Sequence, residues 1–220
     1  MVSLISVSCG QPPSETAWTK TLGGSGNDYD HSVRQASDGG YVIVGSTGSY
    51  GAGNDDVWLI KTDSSGNAVW NKTFGGSTGD RGYSVQQTSD GGHVIGGSTG
   101  SYGADQSDVW LIKTDSSGGM AWNRTFGGPL HDYGYSVGQT SDGGYIVAGS
   151  AVSYGAGDAD VWLIKTDSSR NPTWDKTLGG SHSDYSWSIK QTSYGGYIIA
   201  GYTSSYGAGG YDIWLLKVTV

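Results

Sequence analysis

Eight tryptophans keep one spacing along the chain. Trp18, Trp70, Trp122 and Trp174 follow one another every 52 residues, and so do Trp58, Trp110, Trp162 and Trp214. A register that never slips over 220 residues means one unit written four times, the last copy cut short. A unit of this size cannot bury its apolar face alone, so neighbouring copies must stack on one another. The reading is a leader over 1–15 and a single domain over 16–220, with repeats 18–69, 70–121, 122–173 and 174–220.

One unit carries four strand signals. "YSVQQTS" (83–89) is short and alternating, and "DGG" (90–92) is a tight turn in which glycine tolerates positive φ. "HVIGGSTGS" (93–101) is β-branched and buried in character. "DVWLIKTD" (108–115) alternates, with Trp110 and Ile112 on one face and Val109, Leu111 and Lys113 on the other. After the turn "SSGG" comes "MAWNRTFGG" (120–128). No segment keeps a 3.6-residue period, and Glu15 is the only glutamate, a usage that disfavours long helices. The 40 glycines follow no Gly-X-Y period, which excludes collagen and fits many tight turns.

Four short antiparallel strands in 52 residues predict a propeller blade. The predicted fold is all-β, a β-propeller of four four-stranded blades. The phase of the repeat adds a closure. The chain opens on a fourth strand ("TAWTKTLGG", 16–24) and ends on a third ("YDIWLLKVTV", 211–220). In a ring the N-terminal strand completes the last blade and hides its edge. The alternative is two chains sharing one eight-bladed ring.

The "DGG" turn, the strand "YVIVG" or "HVIGG" and the two-tryptophan hairpin "DVWLIKTDSSGNAVW" resemble kelch-type and related secreted β-propeller repeats. "TDSSGNAVW" also resembles the tryptophan-bearing turn of quinoprotein propellers, one residue shorter between Asp63 and Trp70. The whole unit is most similar to uncharacterised repeats of archaeal and bacterial surface proteins. The resemblance covers about 16–220 and implies a propeller, usually of six or seven blades where this chain supplies four. Fold of this kind says little about function, which has to come from sites.

Antiparallel strands send successive loops to alternate ends. The "SYGAGNDD" loops and the between-blade loops ("GGSGNDYD") share one end. Asp28, Asp30, Asp55, Asp56, Asp80, Asp105, Asp108, Asp132, Asp158, Asp160, Asp184 and Asp212 fall there, 12 of the 20 acids, with Arg81 the only formal positive charge. Tyr50, Tyr102, Tyr154 and Tyr206 join them, as does the position held by His31, Tyr83, Tyr135 and Trp187. Two readings stay open. Asp28, Asp80, Asp132 and Asp184, with the tyrosines and Trp187, are candidate ligand-binding residues; equally, an Asp before a strand caps a turn. Asp56, Asp108, Asp160 and Asp212 are candidate metal ligands, calcium being the ion that clustered carboxylates and carbonyls suit, although no DxDxDG loop is present. Tyr and Trp beside Asp also suit sugar rings.

Catalytic signals are poor. The four histidines hold different repeat positions, there is no G-x-S-x-G, and Cys9, the single cysteine, lies in the leader. No cofactor is required. An acidic chain of net charge −8 without a basic cluster is a poor nucleic-acid binder, and no apolar run is long enough for a transmembrane helix. The leader resembles the tail of a lipoprotein signal peptide, with Cys9 as the residue to be acylated; the alternative is a start without targeting meaning. Asn71 and Asn123 head glycosylation sequons in successive units. The Trp58 series is expected in the core, the Trp18 series against the blade, and Lys61, Lys113, Lys165 and Lys217 reaching Asp partners. The expected function is a non-catalytic, extracellular or cell-surface propeller binding a glycan, cation or protein partner through an acidic, tyrosine-rich loop face. The alternative is a structural protein that self-associates by strand exchange into a ring or filament. An enzyme is the third reading.

Overall fold

The computed structural model describes residues 17–219. Cys9 and the leader 1–15 lie outside the described residues. Fifteen strands follow one another: β1 Asp28–Gln35, β2 Tyr41–Thr47, β3 Asp56–Thr62, β4 Ala68–Phe74, β5 Asp80–Gln87, β6 His93–Thr99, β7 Asp108–Thr114, β8 Met120–Phe126, β9 Asp132–Gln139, β10 Tyr145–Ala151, β11 Asp160–Thr166, β12 Pro172–Leu178, β13 Asp184–Gln191, β14 Tyr197–Thr203 and β15 Asp212–Val218. They form four antiparallel meanders in chain order, β1–β4, β5–β8, β9–β12 and the three-stranded β13–β15, with no helix among the described residues.

Consecutive sheets stack face to face, and alternation along the strands makes both faces apolar. Trp110 and Ile112 of β7 pack with Val42, Val44, Val57 and Leu59 of the first sheet. Their neighbours Val109 and Leu111 point the other way, against Val137, Val147 and Trp162 of the third. The predicted split of β7 into two faces therefore holds. The third and fourth sheets repeat the junction through Val161, Leu163, Ile189 and Ile199. Trp58, Trp110 and Trp162 are buried, the last two on strands between two sheets, whereas Trp214 of the same series is half-buried. The outer tryptophans pack on the following sheet, Trp70 on His93, Trp122 on Tyr145 and Trp174 on Tyr197, with ring centroids 5.3–5.9 Å apart.

Lys61, Lys113 and Lys165 run buried stems to Asp38, Asp90 and Asp142, each 2.8 Å away, latching the outer hairpin to the first turn. The lysine ammonium holds Asp90 and Asp142 down to about 2. In the fourth copy Tyr194 replaces the aspartate, and Lys217 is exposed.

The expected strand over 16–24 is not formed. Residues 18–24 carry no strand pairing, and the last sheet has three strands rather than four. The segment lies instead on the first sheet as a strap. Trp18 meets Tyr41 at 6.1 Å, as Trp174 meets Tyr197, and Tyr50 Oη donates to Gly23 O at 2.9 Å. A strand needs a hydrogen-bonding neighbour, and β15, the edge it was expected to join, is not beside it.

Candidate functional site

The "SYGA" loops carry Tyr50, Tyr102, Tyr154 and Tyr206 and lead into the strand-start aspartates. Gly51, Gly103, Gly155 and Gly207 take φ between 97° and 117°, which L side chains rarely adopt, so the loop turns sharply. That turn brings the following backbone N–H onto a carboxylate at the start of the next strand. Ala52 N donates to Asp56 Oδ2 at 2.7 Å, Ala156 N to Asp160 at 2.8 Å and Ala208 N to Asp212 at 2.9 Å, with Ala104 N and Asp108 matching them. The four metal candidates Asp56, Asp108, Asp160 and Asp212 are thus distributed one per sheet, each closing its own loop. No group of three or more His, Cys, Asp or Glu side chains stands together among the described residues.

Asp80, Asp132 and Asp184 are also buried. Asp80 accepts from Gly76 N at 2.9 Å, Ser101 Oγ at 2.6 Å and Thr99 Oγ1. Asp132 accepts from Gly128 N, Val152 N and Ser153 N. Asp184 accepts from Gly180 N and Ser205 Oγ, and Asp28, half-buried, from Gly24 N and Ser49 Oγ. These hydrogen bonds outweigh burial at Asp28 and Asp184 and hold both carboxyls below the usual range. The capping reading, one of two left open by the sequence, accounts for these side chains.

The strand-start aspartates Asp56, Asp108 and Asp160 sit beside the next sheet's caps, Asp80, Asp132 and Asp184. A Cβ on Gly75 would overlap Asp56 Oδ1 and approach Asp80 Oδ2, and Gly127 stands likewise between Asp108 and Asp132. Asp108 Oδ1 and Asp160 Oδ1 are buried with no hydrogen-bond partner. Burial first, and then the neighbouring Asp80 or Asp132, pushes Asp56 and Asp108 above the ordinary carboxylate value.

The repeated tyrosines are latches between sheets. Tyr102 Oη donates to Gly75 O, Tyr154 to Gly127 O and Tyr206 to Gly179 O, each at 2.9 Å. Their rings lie 5.1–5.4 Å from Trp110, Trp162 and Trp214. The expected acidic face is correspondingly reduced. Six of its twelve aspartates are buried, and Asp55 pairs with Arg81 at 2.9 Å.

What remains is an aromatic ladder. In β1, β5, β9 and β13 the pairing register slips by one residue, and the extra residue is His31, Tyr83, Tyr135 or Trp187. A bulge re-aims the side chain it carries. Here it turns all four rings to the same edge of the inner strands, at centroid spacings of 5.1, 5.2 and 4.4 Å. His131, Tyr133 and Tyr135 add a stacked branch, and Tyr185, Tyr202 and Tyr211 another. Burial lowers the His31 pKa, so the ring against Tyr83 is neutral at pH 7, and burial raises Tyr133 and Tyr135. A groove of about 380 Å³ opens beside the ladder, lined by Thr78, Arg81, Ser98, Gln106, His131 and Tyr133 among others. Sequence reading reached His31, Tyr83, Tyr135 and Trp187 but missed Tyr133, Tyr185 and Tyr202. For Tyr133 and Tyr185 the available signal was an aromatic two residues before the bulge, present in the first copy too as Tyr29.

Asn71 and Asn123 lie on outer strands β4 and β8, where each Oδ1 accepts from the indole of Trp58 or Trp110 at 3.3 and 3.1 Å. Asp175 takes the same part for Trp162.

Fold and rim together define a class: an all-β repeat of antiparallel, propeller-like sheets carrying an aromatic-lined edge. No protein-family model and no curated protein matches the sequence. Among solved structures the chain is similar to a protein of unknown function from Bacteroides caccae, with a TM-score of 0.53 at 11% identity. The match covers 84% of this chain and 56% of that one, so this chain spans little more than half its length, and it bears on fold alone.

Proposed function

We propose that the sheets are blades of a propeller-type, non-catalytic binding module, exported or displayed at a cell surface, which takes a polyhydroxylated ligand such as a glycan on the rim beside the aromatic ladder. The observation that carries this reading is the ladder itself. Four copies of one bulge aim four rings at one edge, and Trp187 stays 51% exposed there. Sugars combine apolar ring faces with hydroxyls. The adjoining groove offers the matching mixture, a Tyr133 ring with hydroxyl, amide and guanidinium groups around it. Exported placement rests on the resemblance of the repeat to those of surface proteins.

A glycan array followed by calorimetry tests the reading. Tyr133→Ala or Trp187→Ala is expected to weaken the best glycan at least tenfold, with Asp105→Asn at the loop tip leaving affinity unchanged. No glycan bound, or loss with Asp105→Asn and retention with Trp187→Ala, would contradict it.

A further inference from the structure

The two ends of the sheet stack expose faces that are buried everywhere else in the chain. Leu59, Leu111 and Leu163 are 0% exposed, each covered by the following sheet, whereas Leu215 at the same repeat position is 67% exposed. Val57, Val109 and Val161 are at most 1% exposed, and their counterpart Ile213 is 90% exposed. At the other end Val85, Val137 and Ile189 are buried under the preceding sheet, and Val33 is 51% exposed. The last face therefore has the composition of a donor surface, and the first that of its acceptor. The chain contains three worked examples of how they fit.

The strap adds a second, independent fit. Residues 18–24 lie where the outer strand of a preceding sheet would lie. Tyr50 latches Gly23 as Tyr102 latches Gly75, and Trp18 covers Tyr41 as Trp174 covers Tyr197. Among the described residues the β13–β15 sheet has three strands, and the position beside β15 is the one that corresponds to the strap.

We propose that a second copy of this chain docks head to tail, the β13–β15 face of one molecule on the β1–β3 face of the next, with the strap of the second molecule pairing as the fourth strand along β15 of the first. The register follows from the three internal pairs. Val109 opposite Phe126, Leu111 opposite Arg124 and Lys113 opposite Trp122 become Ile213 opposite Leu22, Leu215 opposite Lys20 and Lys217 opposite Trp18. The contact is heterologous, so it closes into a ring if the rotation per copy allows and otherwise propagates. Completing the sheet in trans also removes the edge that β15 leaves open. This proposal is independent of the glycan reading.

Light scattering and sedimentation on the full chain at tens of micromolar provide the test, with Val33→Glu and Leu215→Glu as variants. Both positions are solvent-exposed, so each variant should melt like dilute wild type; Ile213→Glu serves as a second substitution on the same face. Wild type is expected as a dimer or higher multiple, and each variant alone as a monomer. Mixed one to one, Val33→Glu and Leu215→Glu leave one intact junction and should form a dimer that grows no further. A monomeric wild type overturns the proposal. So does a mixture that stays monomeric, or a Val33→Glu protein that keeps the wild-type mass, since that would mean like faces meet.

Discussion

The inner junctions and the outer faces of this stack are made of the same residues. Leu111 and Leu215 occupy one repeat position, yet one is 0% and the other 67% exposed. Identity of sequence does not confer burial; a neighbouring sheet does. The contrast gives its own scale of effects. Leu111→Ala leaves a cavity between two sheets and should lower stability by about 2–5 kcal/mol in denaturant unfolding. Leu215→Ala, in dilute solution, should stay within about 0.5 kcal/mol of wild type. Equal losses would mean that the last face is covered within the same chain.

The caps give the next largest effect. Asp132 is itself buried, and Asp132→Ala strands the N–H groups of Gly128 and Ser153, which should cost about 1–3 kcal/mol. Asp105→Ala, at the exposed loop tip, should stay within about 0.5 kcal/mol. A thermal melt of both variants separates scaffold aspartates from surface ones.

The paired aspartates predict a change of the opposite sign. The folded pKa of Asp108 is raised by burial and by Asp132, so folding favours its protonated form. Stability linked to that proton is present below the unfolded value and is lost as pH rises through the folded one. Asp108→Asn keeps an acceptor for Ala104 N and removes the charge. It should raise the melting temperature at pH 7, by an amount worth about 1 kcal/mol or less, and should raise it less at pH 4. A variant that loses stability at pH 7 would show that the second carboxylate oxygen has a partner in solution.

The smallest effect compares the first three lysine latches with the fourth. Asp90 and Asp142 titrate near 2 because Lys113 and Lys165 hold them ionised. Such a depressed carboxyl adds stability above its unfolded value, near 3.8, and loses it as pH falls through about 2. Tyr194→Asp offers Lys217 the same partner. It should add less than about 1 kcal/mol at pH 7 and less still at pH 2, since the aspartate is exposed.

Much of this was legible in the chain itself. Period-two alternation in "DVWLIKT" separated the two faces of β7, and turn glycines marked the hairpins. The inner strand was less legible. "YSVQQTS" was expected to begin at 83, but β5 begins at Asp80. The bulge at Tyr83 interrupts the alternation, so Arg81 and Gly82 do not read as strand. The aspartates were ambiguous because a capping carboxylate and a ligand carboxylate have the same sequence; only Gly76 N, Ser101 Oγ and Thr99 Oγ1 around Asp80 distinguish them. The strap was misplaced for a related reason. Repeat register says which strand it should pair with, and not whether that strand belongs to the same molecule.

Amide hydrogen exchange along β15, compared with β3, β7 and β11 over a range of protein concentration, distinguishes a junction face from a free one. If the outer faces are junctions between copies, the Asp212–Val218 amides that point away from β14 should be protected at high concentration like those of the inner sheets and should lose protection on dilution. Protection that is absent at every concentration, or present and independent of concentration, would contradict it.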